Sequence, residues 1–157
     1  MSALPTLLTG EGAHAGVRNI LEGIELEQLS VRLGGAPHSI YEELWHLVYW
    51  QDFFLEVAGG SSRSQPPHAA DTWPERQGPK DLQEARNLVR SFLEGINRAT
   101  AYAADTAALD VSARGGKSTV RSLLESLLAH NSYHLGRIVL LRQLQGNWPP
   151  PSGGDTW

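Results

Sequence analysis

Four stretches of this 157-residue chain place apolar residues at helical spacing, and stretches rich in Gly, Pro and Ser separate them. No alternating strand pattern stands between them, so the chain has to bury its apolar stripes by packing helix on helix. The expectation is an all-α fold, a four-helix bundle forming a single domain over residues 1–157.

The first stretch runs from about Glu11 to Val31, where Val17, Ile20, Leu21, Ile24 and Leu29 share one stripe before Gly34, Gly35 and Pro37 end it. The second opens at Ser39, whose hydroxyl can cap the backbone while Glu42 reaches back, and it lasts to Ala58 before Gly59 and Gly60. Its residues are apolar on nearly every side, which implies more than one packing neighbour. The third covers about Asp81 to Asp105, with Leu82, Leu88, Val89, Phe92 and Ile96 inward, and a loop to Lys117 follows. The fourth runs from about Thr119 to Gln145.

Residues 59–80 are too long and too rich in Pro and Ser for an ordinary turn, which allows a crossover that makes the second and third helices parallel. The tail from Trp148 to Trp157 holds three consecutive prolines and is expected to be extended, with its tryptophans docking on the bundle or left loose.

Composition removes several function classes. The chain has no cysteine, which excludes disulfides, thiolate ligands, iron–sulfur clusters and a cysteine nucleophile, so a metal would be held by nitrogen or oxygen. The net charge is -4, and the basic residues, of which only Lys80 and Lys117 are lysines, form no stripe for phosphates; nucleic acid is not an expected partner. No run of about 18 apolar residues and no charged leader with an apolar run stands in the sequence, so a cytoplasmic protein without membrane contact is expected.

The chemistry concentrates on histidines. His130 and His134 lie four apart on the fourth helix, one turn from each other, on the stripe that also carries Leu123, Leu127, Ile138 and Leu141. Two imidazoles in an apolar seam need partners: a metal ion, each other, Asn131, Tyr133 or a buried water. His46 lies roughly 10 Å into the second helix, and the pair roughly 17 to 23 Å along the fourth, so antiparallel helices would bring all three to one level. Three neutral imidazoles suit zinc, nickel, iron or copper and disfavour magnesium and calcium.

Glu43, three residues before His46, is placed to orient an imidazole or act as a base, and Arg137, three after His134, to clamp a substrate carboxylate or pair with a glutamate. Surface carboxylates and simple ion pairs are the plainer readings. His14, His38 and His68 are not expected to be ligands. Gly115-Gly116-Lys117-Ser118 lacks the first glycine of a phosphate loop and follows no strand.

Leu44-Trp45-His46-Leu47-Val48-Tyr49-Trp50-Gln51, His130-Asn131-Ser132-Tyr133-His134-Leu135-Gly136-Arg137-Ile138 and the tail together resemble the DinB/YfiT-like superfamily of metal-binding four-helix bundles, which is unrelated to the DNA polymerase sharing the first name. The resemblance implies an up-down-down-up bundle, a His46–His130–His134 triad holding zinc or nickel, and frequent homodimers. It further implies a metal-dependent hydrolase or a transferase using a small thiol cosubstrate, acting on a small-molecule substrate. The competing expectation is a noncatalytic metal- or ligand-binding bundle. Arg137 stands where related sequences often carry Gln, so substrate contacts do not transfer directly.

Overall fold

The computed structural model describes residues 3–153, and these are mostly helical. Six α-helices stand among the described residues: α1 Leu4–Leu8, α2 Val17–Leu21, α3 Leu26–Leu29, α4 Ile40–Ala58, α5 Leu82–Ala104 and α6 Val120–Leu144. The three long ones match the second, third and fourth expected helices within a residue or two.

Each long helix starts on a side-chain cap. Ser39 Oγ accepts the Glu42 amide at 3.2 Å while the Glu42 carboxylate accepts the Ser39 amide at 2.8 Å, the reciprocal box expected from the sequence. Asp81 accepts the Glu84 amide at 2.8 Å, and Thr119 and Ser122 cap each other's amides at 3.2 and 3.0 Å. These bonds satisfy donors that a helix start leaves without partners.

The expected single helix over 11–31 is not formed; the segment holds two short helices, α2 and α3, with α1 ahead of it. Gly12 has φ +80° and Gly23 φ +65°, left-handed conformations that a continuous right-handed helix cannot contain. The apolar stripe nevertheless faces inward as expected: Val17, Ile20, Leu21 and Leu29 are buried, joined by Leu4 and Leu8 from α1, ahead of the expected start.

Contacts between α4 and α5 rise in step. Tyr41 meets Glu84, Gln51 donates to the Phe92 carbonyl and Asp52 pairs with Arg98, so these two helices run parallel and the 59–80 connector is the crossover that permits it. Along α6 the order reverses: Glu43 meets His134, His46 meets His130, and Phe53 packs with Leu123, so α6 is antiparallel to α4. With α5 on one side and α6 on the other, α4 is covered on several faces, as its nearly uniform apolarity requires.

Two features of the ends differ from expectation. The 105–117 loop includes a two-residue ladder, Ser112–Ala113 antiparallel to Ser118–Thr119, too short to leave an alternating pattern in sequence. The tail is not extended throughout: Trp148 packs against the core, the Gly153 amide returns to the Pro150 carbonyl, and the Ser152 amide donates to Glu22. Arg142, with no exposed surface, holds this corner by donating to the carbonyls of Ile20 and Asn147 at 2.6 and 3.0 Å while lying over the Trp148 ring. Whether Trp157 reaches the histidines falls outside the described residues.

Candidate metal centre

Helical period and the α4/α6 pairing together make the centre. His130 and His134 project from one face of α6 towards His46 on antiparallel α4, and the three offer ligand nitrogens that all lie within 4.8 Å of one another. His46 and His134 are buried, and His130 is partly so. The level match expected from helix rise is what places them together.

Each ring is turned by what its other nitrogen meets. His46 Nδ1 lies 2.8 Å from the Thr72 carbonyl, an acceptor only, so Nδ1 carries the proton and Nε2 keeps its lone pair. His134 Nδ1 lies 2.7 Å from Glu43 Oε2 and donates to that carboxylate, which likewise leaves its Nε2 for the centre. His130 Nε2 stands 3.2 Å from His46 Nε2. Two nitrogens each about 2.0–2.1 Å from a tetrahedral ion stand roughly 3.3 Å apart, so the pair is already at ligand spacing. Without an ion, a proton on His130 Nε2 serves the same contact.

His130 Nδ1 is buried with no hydrogen-bond partner, and both polar atoms of the adjacent buried Asn131 share that condition. Burial, with the positive character of neighbouring His134 and His46 adding to it, pushes the His130 imidazole down to about 3. Burial likewise pushes His46 down to about 4, the Thr72 hydrogen bond opposing it in part. Both rings are therefore neutral at neutral pH, the state in which an imidazole can ligate.

Glu43 is fully buried and has three side chains against its carboxylate. Oε2 accepts from His134; Oε1 lies 2.8 Å from Arg137 Nη2 and 3.5 Å from His38 Nδ1. The Arg137 contact is an ion pair at 2.8 Å. Arg137, one helical turn past His134, thus serves as a glutamate's counter-ion, one of the two roles its position allowed. Glu42 is occupied in the helix cap and pairs with Arg32.

The crossover connector contributes two partners that sequence reasoning missed. Residues Ala69–Thr72 form a 3-10 turn that delivers the Thr72 carbonyl to His46. Trp73 then inserts flat between His38 and His46, at ring distances of 3.6 and 3.9 Å. Trp50 meets His46 and His130 at 6.4 and 6.0 Å, and exposed Tyr133 stands edge-on to His134 at 4.9 Å. A tryptophan held before Pro74 in an otherwise polar loop was the only sequence signal for this wall. His38 has a part in the centre, though not as a ligand. His14 lies apart, bonded to the Ala15 carbonyl and Ser132.

A family model described as the DinB superfamily matches residues 11–138, a span that includes all three histidines, Glu43 and Arg137. No curated protein and no solved structure matches the chain.

Proposed function

Because the chain belongs to the DinB superfamily, we propose that His46, His130 and His134 hold one divalent transition-metal ion, zinc or nickel, in a metal-dependent enzyme acting on a small electrophile. The observation that carries this reading is the convergence of three imidazole nitrogens, two with the opposite ring nitrogen donating outward to fixed acceptors. That is the donor set and outer support such an ion takes. The same reading takes the fold as an up-down-down-up four-helix bundle, with the broken α1–α3 segment in place of the first helix.

The bound ion would act as a Lewis acid that makes a water or small thiol nucleophilic near neutral pH. Glu43 holds the His134 ring in the tautomer that presents Nε2, and Thr72 does the same for His46. Arg137 neutralises Glu43 through one amino group; its remaining donors are the proposed clamp for an anionic substrate group. Trp50, Trp73 and Tyr133 form an aromatic wall that limits water and favours a substrate with an apolar or planar part. Hydrolysis and thiol transfer are both accommodated.

One observation favours the noncatalytic alternative. Glu43 is turned to the far side of His134, bonded to its Nδ1, so its carboxylate does not stand as a base beside the converging nitrogens. A dimer is part of the proposal: exposed Tyr133, Leu140 and Leu144 share one face of α6, an apolar strip suited to a second copy. So is a cytoplasmic setting; no helix among the described residues is long and apolar enough to cross a membrane.

The first test is elemental analysis of tag-free protein beside His134→Ala. About one equivalent of zinc or nickel per chain, lost in the variant, is the expected result. A metal-free wild type that resists reloading overturns the enzyme reading. Turnover of ester, amide or thiol-acceptor substrates by the loaded protein then separates catalyst from binding bundle.

A further inference from the structure

Between the broken N-terminal segment and α5 lies an open hollow of about 550 Å³. Leu21, Leu29 and Ala85 are buried at its floor, and the half-buried Val89 and Leu93 form a wall along α5. The lining comes from both sides of Gly23, with Arg18 and Leu21 from α2, Leu26 and Leu29 from α3, and residues between 82 and 97 from α5.

Its rim is basic. Arg18 from α2 and Arg86 and Arg90 from α5 line the hollow and are exposed, with Glu94 the one carboxylate among the lining residues. Arg32, Arg63, Arg76, Arg98, Arg121 and Arg137 each stand in an ion pair with a carboxylate. Arg18, Arg86 and Arg90 stand in none among the described residues, Arg90 donating to the Asn87 side chain; Arg114 and Arg142, also without a carboxylate, lie elsewhere over the Phe53 and Trp148 rings. In a chain of net charge -4, arginines without carboxylate partners gathered round one apolar hollow call for an anion above an apolar body.

We propose that this hollow is a second binding site, for a small amphiphile with an apolar body and a single anionic head, a medium-chain carboxylate in its simplest form. The volume falls in the range of small-molecule sites, and a guanidinium fork matches a carboxylate in geometry. The apolar body would cover Val89 and Leu93 while the head sits among the arginines. None of the lining residues belongs to the histidine centre, so the proposal stands whether or not that centre is catalytic.

The test titrates the full chain with decanoate and, separately, with decanol by calorimetry. Decanoate should saturate at about one per chain and bind at least ~10-fold more tightly than decanol. Arg86→Gln with Arg90→Gln should weaken decanoate by about 10-fold and leave decanol unchanged, and Leu93→Trp, which fills the hollow, should remove both. An unchanged circular dichroism spectrum and Tm in each variant show that the fold is kept; Val89→Phe replaces Leu93→Trp if the latter fails that check. Absence of saturable decanoate binding, equal affinity for decanol, or binding that survives the filled hollow overturns the proposal. So does self-association of the ligand-free protein that Leu93→Trp disperses, which would make the hollow a contact between copies.

Discussion

Glu43 is the residue on which the centre turns, because a buried carboxylate is tolerable only while its charge is matched. Arg137 and the His134 hydrogen bond match it, and the bond to His134 fixes which of its nitrogens faces His46 and His130. Glu43→Gln keeps the shape and removes the charge. It should lower metal affinity by roughly 10- to 100-fold, as loss of an outer partner does, measured by competition with a chromogenic chelator. Affinity equal to wild type would show that His134 needs no orientation from Glu43. His46 differs because its partner is a backbone carbonyl, which no substitution at Thr72 removes.

Helix α4 is held by its start and by one close approach. Ser39 caps its first turn and also donates to the Gln77 carbonyl at 2.6 Å, tying the crossover connector to the helix that carries His46. Ser39→Ala removes both bonds and should cost about 1–2 kcal/mol in urea unfolding. Further along, Gly95 of α5 lies against the Gln51 side chain, which is fully buried and bonded to the Phe92 carbonyl. A methyl at Gly95 would fall within the Gln51 amide, and a buried side chain has little room to retreat. Gly95→Ala should destabilise by about 1–3 kcal/mol despite alanine's better helix propensity, with partial recovery in the Gly95→Ala/Gln51→Ala double variant. Simple additivity of the two changes would rule out the clash.

At the scale of the whole molecule, the neutral histidines link stability to pH. His46 and His130 titrate at about 4 and about 3 in the fold, against 6.5 for the unfolded chain, so the unfolded state binds more protons between those values. The stability they allow is fully present above about 6.5 and is lost as pH falls through that window towards the folded values. Thermal unfolding of the metal-free protein should therefore show Tm falling steadily from about pH 6.5 to about pH 4, and less steeply in His130→Gln. A flat profile would mean that the rings are solvated. The α6 strip belongs to the same scale. Leu140→Glu with Leu144→Glu should turn a dimer into a monomer in sedimentation while metal content stays, and an unchanged assembly would place the interface elsewhere.

The three long helices and the identities of the three histidines were legible in sequence because they depend on local rules. Helical period puts residues four apart on one face, caps mark the starts, and rise per residue gives the depth of each histidine. The break at Gly23 was less legible, since an isolated glycine within an apolar stripe is compatible with either a continuous or a broken helix until neighbours decide. The capping box left Glu43 rather than Glu42 to orient an imidazole, but tertiary structure alone decided that its partner is His134, that Arg137 answers Glu43, and that Thr72 and Trp73 come from the crossover to flank His46. The Thr72 contact is made by a carbonyl that every residue possesses, across a 26-residue separation. Side-chain identity carries no trace of such a bond; only the path of the folded chain does.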